Sequence, residues 1–132
     1  MKKYSLLYIT LTLIVIIGVL HLAAQVFYFY WTLWWFDMVM HFLGGLSVGL
    51  FAIWFFFHSN LFFKRMPKRS EAVFLALVAV MVVGVSWEIF EYVNDISIAT
   101  EGYAPDTFHD LLSDVLGASL GGVFGSQKKQ VT

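Results

Sequence analysis

The chain has 132 residues, 60% of them hydrophobic and 13% charged, with a net charge of −1 and no cysteine. A soluble domain carries about 25% charged residues, so this composition belongs to a membrane protein, and a chain this short leaves no room for a soluble domain beside its apolar stretches. Near-neutral charge gives no basic surface for a nucleic-acid partner. The lack of cysteine excludes disulfides and thiolate metal ligands.

Four apolar stretches, residues 4–24, 38–57, 72–93 and 107–125, reach the roughly 20 residues needed to cross a bilayer. They predict an all-α polytopic membrane protein, a compact bundle of four transmembrane helices forming one domain over residues 1–132. Lys2 and Lys3 precede the first stretch. A basic start, an apolar run and Leu22-Ala23-Ala24 also describe a secretory signal peptide. A signal core, however, runs only about 7 to 15 residues and ends in an A-x-A-like site. The longer run here, with Leu22 at the −3 position before Gln25, predicts retention as a first span. His21, near its outer end, reads as a packed residue before it reads as a ligand. The following connection, residues 25–37, carries Phe27, Tyr28, Tyr30, Trp31, Trp34 and Trp35, which suit an aromatic belt at headgroup level.

The second stretch opens on Asp37-x-x-x-His41, whose i, i+4 spacing puts both side chains on one helix face. Asp37 alone reads as an N-cap that satisfies free N–H groups at the positive end of the helix dipole. His41 lies about 6 Å further into the membrane. A polar group at that depth needs a partner and is a functional candidate by default. Gly45-x-x-x-Gly49 then allows close helix approach. His58 reads as interfacial, and Lys64, Arg65, Lys68 and Arg69, with Pro67, form a short loop that sets topology and touches anionic lipid.

The third stretch closes on Glu88-x-x-Glu91, with Asp95 beyond, an i, i+3, i+7 acidic stripe. Like charges at this spacing repel, and the C-terminal end of the dipole disfavours anions. Glu88 lies roughly 8 Å below Val93, so it requires a proton, a metal ion or a histidine. The fourth stretch opens on Asp106, Asp110 and Asp114 at i, i+4 and i+8. Thr107-x-x-Asp110 matches a capping box, preceded by Asp106 as a cap. That leaves Asp114, about 10 Å past Thr107, at the depth of His41 and Glu88. His109 faces either the loop or the site. Gly117, Gly121 and Gly125 recur every four residues, so the second and fourth helices can approach closely and bring Asp37, His41, Asp110 and Asp114 together.

All eight basic residues, including Lys128 and Lys129 at the end, fall on one side of this arrangement. The positive-inside rule then puts both termini in the cytoplasm and the His/carboxylate cluster near the extracytoplasmic face of a bacterial inner membrane. Carboxylates in a low-dielectric site cannot all stay ionised without a cation, so they share protons or bind metal. Mixed His and carboxylate ligands suit zinc, manganese or iron, and carboxylates alone suit magnesium or calcium.

Three readings stand open. In the first, Asp37, His41, Glu88 and Asp114 ligate a divalent metal, with Glu91 or Asp110 as general base, in a hydrolase of lipid or envelope substrates. In the second, shared protons make the cluster part of a proton or cation pathway, although the inner halves of the helices offer no ionisable residue to continue it. In the third, the cluster is a structural staple and the protein binds a partner in the membrane. Membrane lipids are the expected surroundings in each, and the oligomeric state is open.

The series Asp37-x-x-x-His41-Phe-x-Gly-Gly, Glu88-x-x-Glu91 and Asp106-Thr-x-x-Asp110-Leu-x-x-Asp114-x-x-Gly117-x-x-x-Gly121 resembles the small bacterial YjdF-like membrane proteins and, more distantly, the VanZ-like proteins. The resemblance runs from Asp37 to Gly121 and implies a compact helical bundle with motif residues grouped near one face. VanZ-like proteins are associated with low-level resistance to some glycopeptides. Their pattern has Asp-Lys-x-x-His where this chain has Met38, Glu-x-x-Gln where it has Glu91, an Asn near the position of Asp114, and a loop Arg that is missing here. The two cations that would bind an anionic substrate are therefore absent.

The charge segregation has a direct check. Alkaline phosphatase fused after Thr132 is expected to be inactive, because it stays in the cytoplasm; periplasmic activity from the fusion would invert the topology.

Overall fold

The computed structural model of the chain describes residues 5–96 and 102–127, so Lys2, Lys3, Lys128 and Lys129, which carry the placement of the termini, lie outside the described residues. The described chain is helical: α1 (Ser5–Phe27), a short α2 (Phe29–Thr32), α3 (Phe36–Ile53) continued by a π-helical turn over Trp54–His58, α4 (Arg69–Val93) and α5 (Tyr103–Gly125). Three of these helices, Ser5–Phe27, Phe36–His58 and Arg69–Val93, are long and apolar enough to cross a membrane. The fourth, α5, has 23 residues but carries Asp106, Asp110 and Asp114, and it does not reach the same apolarity.

The outer surface is apolar, with Val15, Val19 and Val26 on α1 and Phe74, Val82 and Val93 on α4 all exposed. In hydrocarbon such a surface costs nothing, and helices associate instead through close packing and polar contacts. That is how α5 is held. Its largest interface is with α3 and its next with α4, and its buried residues are Asp110, Asp114, Gly117, Ala118, Gly121, Gly122 and Gly125. A Cβ at Gly45 would overlap the backbone carbonyl of Asp114, and one at Gly117 would overlap that of Phe42. The two backbones therefore touch. Gly49 and Gly121 continue the seam, each with backbone of the other helix about 3.0 Å from where its Cβ would stand.

By contrast α1 lies on α3 as a loosely held flank. Its buried residues are Leu6 and Thr10 near one end and Ala24 near the other. Leu6 joins a cluster with Leu50, Ile53, Phe57 and Ala72, and Ala24 joins Phe36 and Met40. Between these anchors α1 touches the bundle through the half-buried Leu13, Ile17 and Leu20. At its end, Tyr28 takes a left-handed backbone (φ 59°), which reverses the chain into α2. The aromatic connection is thus folded rather than open, with Tyr30 packed edge-on against Phe36 at 5.2 Å.

The basic loop behaves differently from a purely lipid-facing one, because Arg65 forms a two-pronged pair with Glu71 at 2.7 and 3.0 Å, which also accepts from the Lys68 backbone N–H. His58, read as interfacial, is buried beside the Ile53 carbonyl.

Neighbouring glycines give a test of the seam. A Cβ at Gly44 would meet nothing within 4 Å, whereas Gly45 has no room. Gly45→Val is expected to cost about 1–3 kcal/mol or more through overpacking, seen as a lower unfolding temperature in detergent, while Gly44→Val stays close to wild type. Equal behaviour of the two variants would remove the α3–α5 contact as the organising one.

Candidate metal centre

The seam at Gly45 and Gly117 fixes which turns of α5 face α3, and His41, one turn before Gly45, meets the aspartates of α5. Its Nδ1 stands 3.3 Å from Asp114 Oδ1, and its Nε2 lies 3.7 Å from Asp110 Oδ2 and 4.0 Å from Asp37 Oδ1. One imidazole is thus surrounded by three carboxylates. Space for the Asp114 carboxylate comes from Gly84 on α4, where a Cβ would stand 2.5 Å from Asp114 Oδ2.

Glu88 reaches the cluster from α4 and is held there by α5. Thr107 Oγ1 donates to Glu88 Oε2 at 2.6 Å, and the Tyr103 hydroxyl donates to the Glu88 backbone carbonyl at 2.7 Å. The other oxygen, Glu88 Oε1, is buried without a hydrogen-bond partner, and so is Asp110 Oδ2. Asp110 is 1% exposed and Glu88 4%. Leaving a buried polar atom unmet costs about 1–3 kcal/mol, and more when it is charged. Two such oxygens in one cluster therefore point to a missing partner.

The ligand atoms fall into two sets. One oxygen or nitrogen each from Asp37, His41 and Asp110 lie within 4.8 Å of one another, and so do single oxygens from Glu88, Glu91 and Asp110. Asp110 belongs to both. Among the described residues the Lys and Arg side chains, Lys64, Arg65, Lys68 and Arg69, lie in the loop beyond His58, and His58 itself is about 25 Å from His41 along the helix. No side-chain cation other than histidine is near to neutralise the carboxylates.

Each residue singled out in the sequence has a definite place. Asp37, His41, Glu88, Glu91, Asp110 and Asp114 come together. Asp95 does not: α4 ends at Val93, and Asp95 is exposed with a left-handed backbone (φ 53°), so the acidic stripe is two residues long. Asp37 lies inside the first turn of α3, with Trp35 at the cap position and no side-chain capping bond. The expected capping box at Thr107 and Asp110 is not formed, since α5 starts earlier, at Tyr103. That earlier start releases Thr107 to bind Glu88 and puts Asp110 about two turns into the helix. His109 packs edge-on against Phe108 at 5.9 Å and belongs to neither ligand set.

Two contributors were missed. Thr107 shares an i, i+3, i+7 face with Asp110 and Asp114, which was a readable signal. Tyr30 had none beyond its aromaticity, because the α1–α2 reversal that brings it in depends on Tyr28. Its hydroxyl lies 2.9 Å from His21 Nδ1, and burial together with the Asp37 and Glu91 carboxylates pushes its pKa up to about 12. Tyr30 therefore remains a neutral O–H donor at neutral pH.

Comparison with curated proteins and with solved structures finds no match. The sequence does match one family model, described as "Predicted membrane protein (DUF2238)", over residues 1–130. YjdF-like proteins fall within this family, while the more distant VanZ-like likeness is not part of the match. With nearly its whole length covered and three helices able to span a bilayer, the chain belongs to the DUF2238 family of predicted membrane proteins.

Proposed function

We propose that the cluster is a divalent-metal centre near the extracytoplasmic face of a bacterial inner membrane, serving hydrolysis of a lipid or envelope substrate. The observation that carries this is the pair of buried oxygens on Asp110 and Glu88 that accept no hydrogen bond, among histidine and further carboxylates with no Lys or Arg of the described residues beside them. A cation of charge two satisfies both oxygens and removes the mutual repulsion of the carboxylates. In this reading α5 is a fourth span, tolerated because its aspartates face the bundle interior, and both termini are cytoplasmic.

The residues take distinct roles. Asp37, His41 and Asp110 would hold an ion as one ligand set and Glu88, Glu91 and Asp110 as another, with Asp110 common to both. His41 donates from Nδ1 to Asp114, which fixes the tautomer and leaves the Nε2 lone pair toward Asp37 and Asp110. Carboxylate–histidine pairs of this kind orient metal-ligating imidazoles. Asp114, expected from sequence as a ligand but a member of neither ligand set, then acts through His41. Thr107 and Tyr103 hold Glu88 in place. With an ion held by Asp37, His41 and Asp110, the half-buried Glu91 would be free to act as the general base that takes a proton from an attacking water. The ion itself supplies Lewis acidity toward a phosphoryl or acyl oxygen.

The His and carboxylate mixture suits zinc, manganese or iron before magnesium or calcium. Elemental analysis of the purified protein is expected to find near-stoichiometric metal, reduced at least tenfold in Asp110→Asn and strongly in His41→Ala and Glu88→Gln, and unchanged in Glu71→Gln at the other end of α4. Absence of metal from wild type after reloading with each of these ions would transfer the cluster to shared protons and to an ion-pathway or partner-binding role.

A further inference from the structure

Beyond the cluster, a furrow of about 700 Å³ runs between α1 and α4, floored by α3. Such a volume is within the ~300–1,000 Å³ range of ligand sites. Its walls are Ile14 to Gln25 on α1, Asp37 to Val48 on α3 and Val80 to Glu91 on α4. At a rise of about 1.5 Å per residue each wall is roughly 16 Å long, close to half of the ~30 Å hydrocarbon core. The furrow therefore has the depth of one leaflet.

Its two ends differ in chemistry. The deep part is apolar, lined by Ile14, Ile17, Val48, Val80 and Val83. The other end holds Asp37, His41, Glu91 and Asp114 of the cluster together with His21, Gln25 and Tyr30. The sequence keeps the middle open. Gly18 on α1 and Gly44 on α3 both line it, and a Cβ on either would meet nothing within 4 Å. Unlike Gly45 and Gly117, these glycines serve no helix contact. They remove side chains from the space between α1, which is fully buried only at Leu6, Thr10 and Ala24, and the rest of the bundle.

We propose that this furrow holds the hydrocarbon chain of a lipid phosphate from the adjacent leaflet, with the phosphate at the Asp37–His41 end. The inference rests on the metal reading, because carboxylates alone repel phosphate and an ion among them reverses that sign. Neutral donors complete the complement: Gln25 offers an amide, and Tyr30, by donating to His21 Nδ1, leaves the His21 proton on Nε2. Lipid is the occupant that matches an apolar furrow of leaflet depth within the membrane, and the polar end selects among lipids.

The test uses the full chain in phosphatidylcholine nanodiscs loaded with Mn²⁺, titrated with dodecyl phosphate and with inorganic phosphate. Partition of the dodecyl chain into the disc raises apparent affinity by itself, so the reading is the difference between wild type and Gly44→Leu or Gly18→Leu. Each variant is expected to weaken dodecyl phosphate at least tenfold, with inorganic phosphate affinity, metal content and unfolding temperature unchanged. Dodecyl phosphate binding that is insensitive to both substitutions, with metal still bound, overturns the furrow and leaves the metal centre standing. A wild type that binds neither metal nor inorganic phosphate overturns the metal centre and this proposal with it. A stable dimer in native mass spectra that Gly44→Leu dissociates gives the furrow to a second copy of the chain and also overturns it.

Discussion

Direct backbone contact between α3 and α5 is the constraint from which the rest of the molecule follows. Gly45 and Gly117 bring carbonyl groups of one helix to where the other would carry a Cβ. Only one register of the two helices permits that contact. In that register Asp110 and Asp114 flank the ring of His41, and Gly84 of α4 admits the Asp114 carboxylate. Charge is thereby concentrated on the face of α5 that packs on α3 and α4, whereas α1 and α4 turn apolar faces outward. Lipid-facing surface and polar interior are set by the same packing.

The enclosure raises an energetic question that the protein must answer. Six carboxylates, those of Asp37, Glu88, Glu91, Asp106, Asp110 and Asp114, sit at one end of the bundle with His41 as the basic group among them. Some are met internally: Glu88 Oε2 by Thr107, Asp114 by His41. Others are not, and the unmet oxygens are on the two least exposed acidic side chains, Asp110 and Glu88. Placing the unmet groups where water is scarcest is costly unless they have an external partner.

Much of this was legible in sequence because helical spacing translates directly into position. The Asp37–His41 pair, the glycine series and the acidic positions on the third and fourth helices were sufficient to expect Asp37, His41, Asp110 and Asp114 on facing surfaces. Helix ends were less legible. The α5 start at Tyr103 turns Thr107 from a cap into a hydrogen-bond donor, and the α4 stop at Val93 removes Asp95 from the stripe. The furrow was not legible at all, since Gly18 and Gly44 look in sequence like Gly45 and Gly49. A glycine that seats a neighbouring helix and one that preserves a space differ only in what stands opposite.

The long sequence separation of the cluster bears on how the protein is made. His41 and Asp114 are 73 residues apart, and at a synthesis rate of about 5–20 residues per second the first waits roughly 4 to 15 s for the second. During that interval the polar end of α3 has no partner on α5. Asp37 and His41 are spared the full cost because they lie at the end of the helix nearest the headgroups, where water and lipid polar groups can solvate them. Completion of the polar interior thus waits on α5, which is made after α3 and α4, and the order of synthesis sets when the cluster can form.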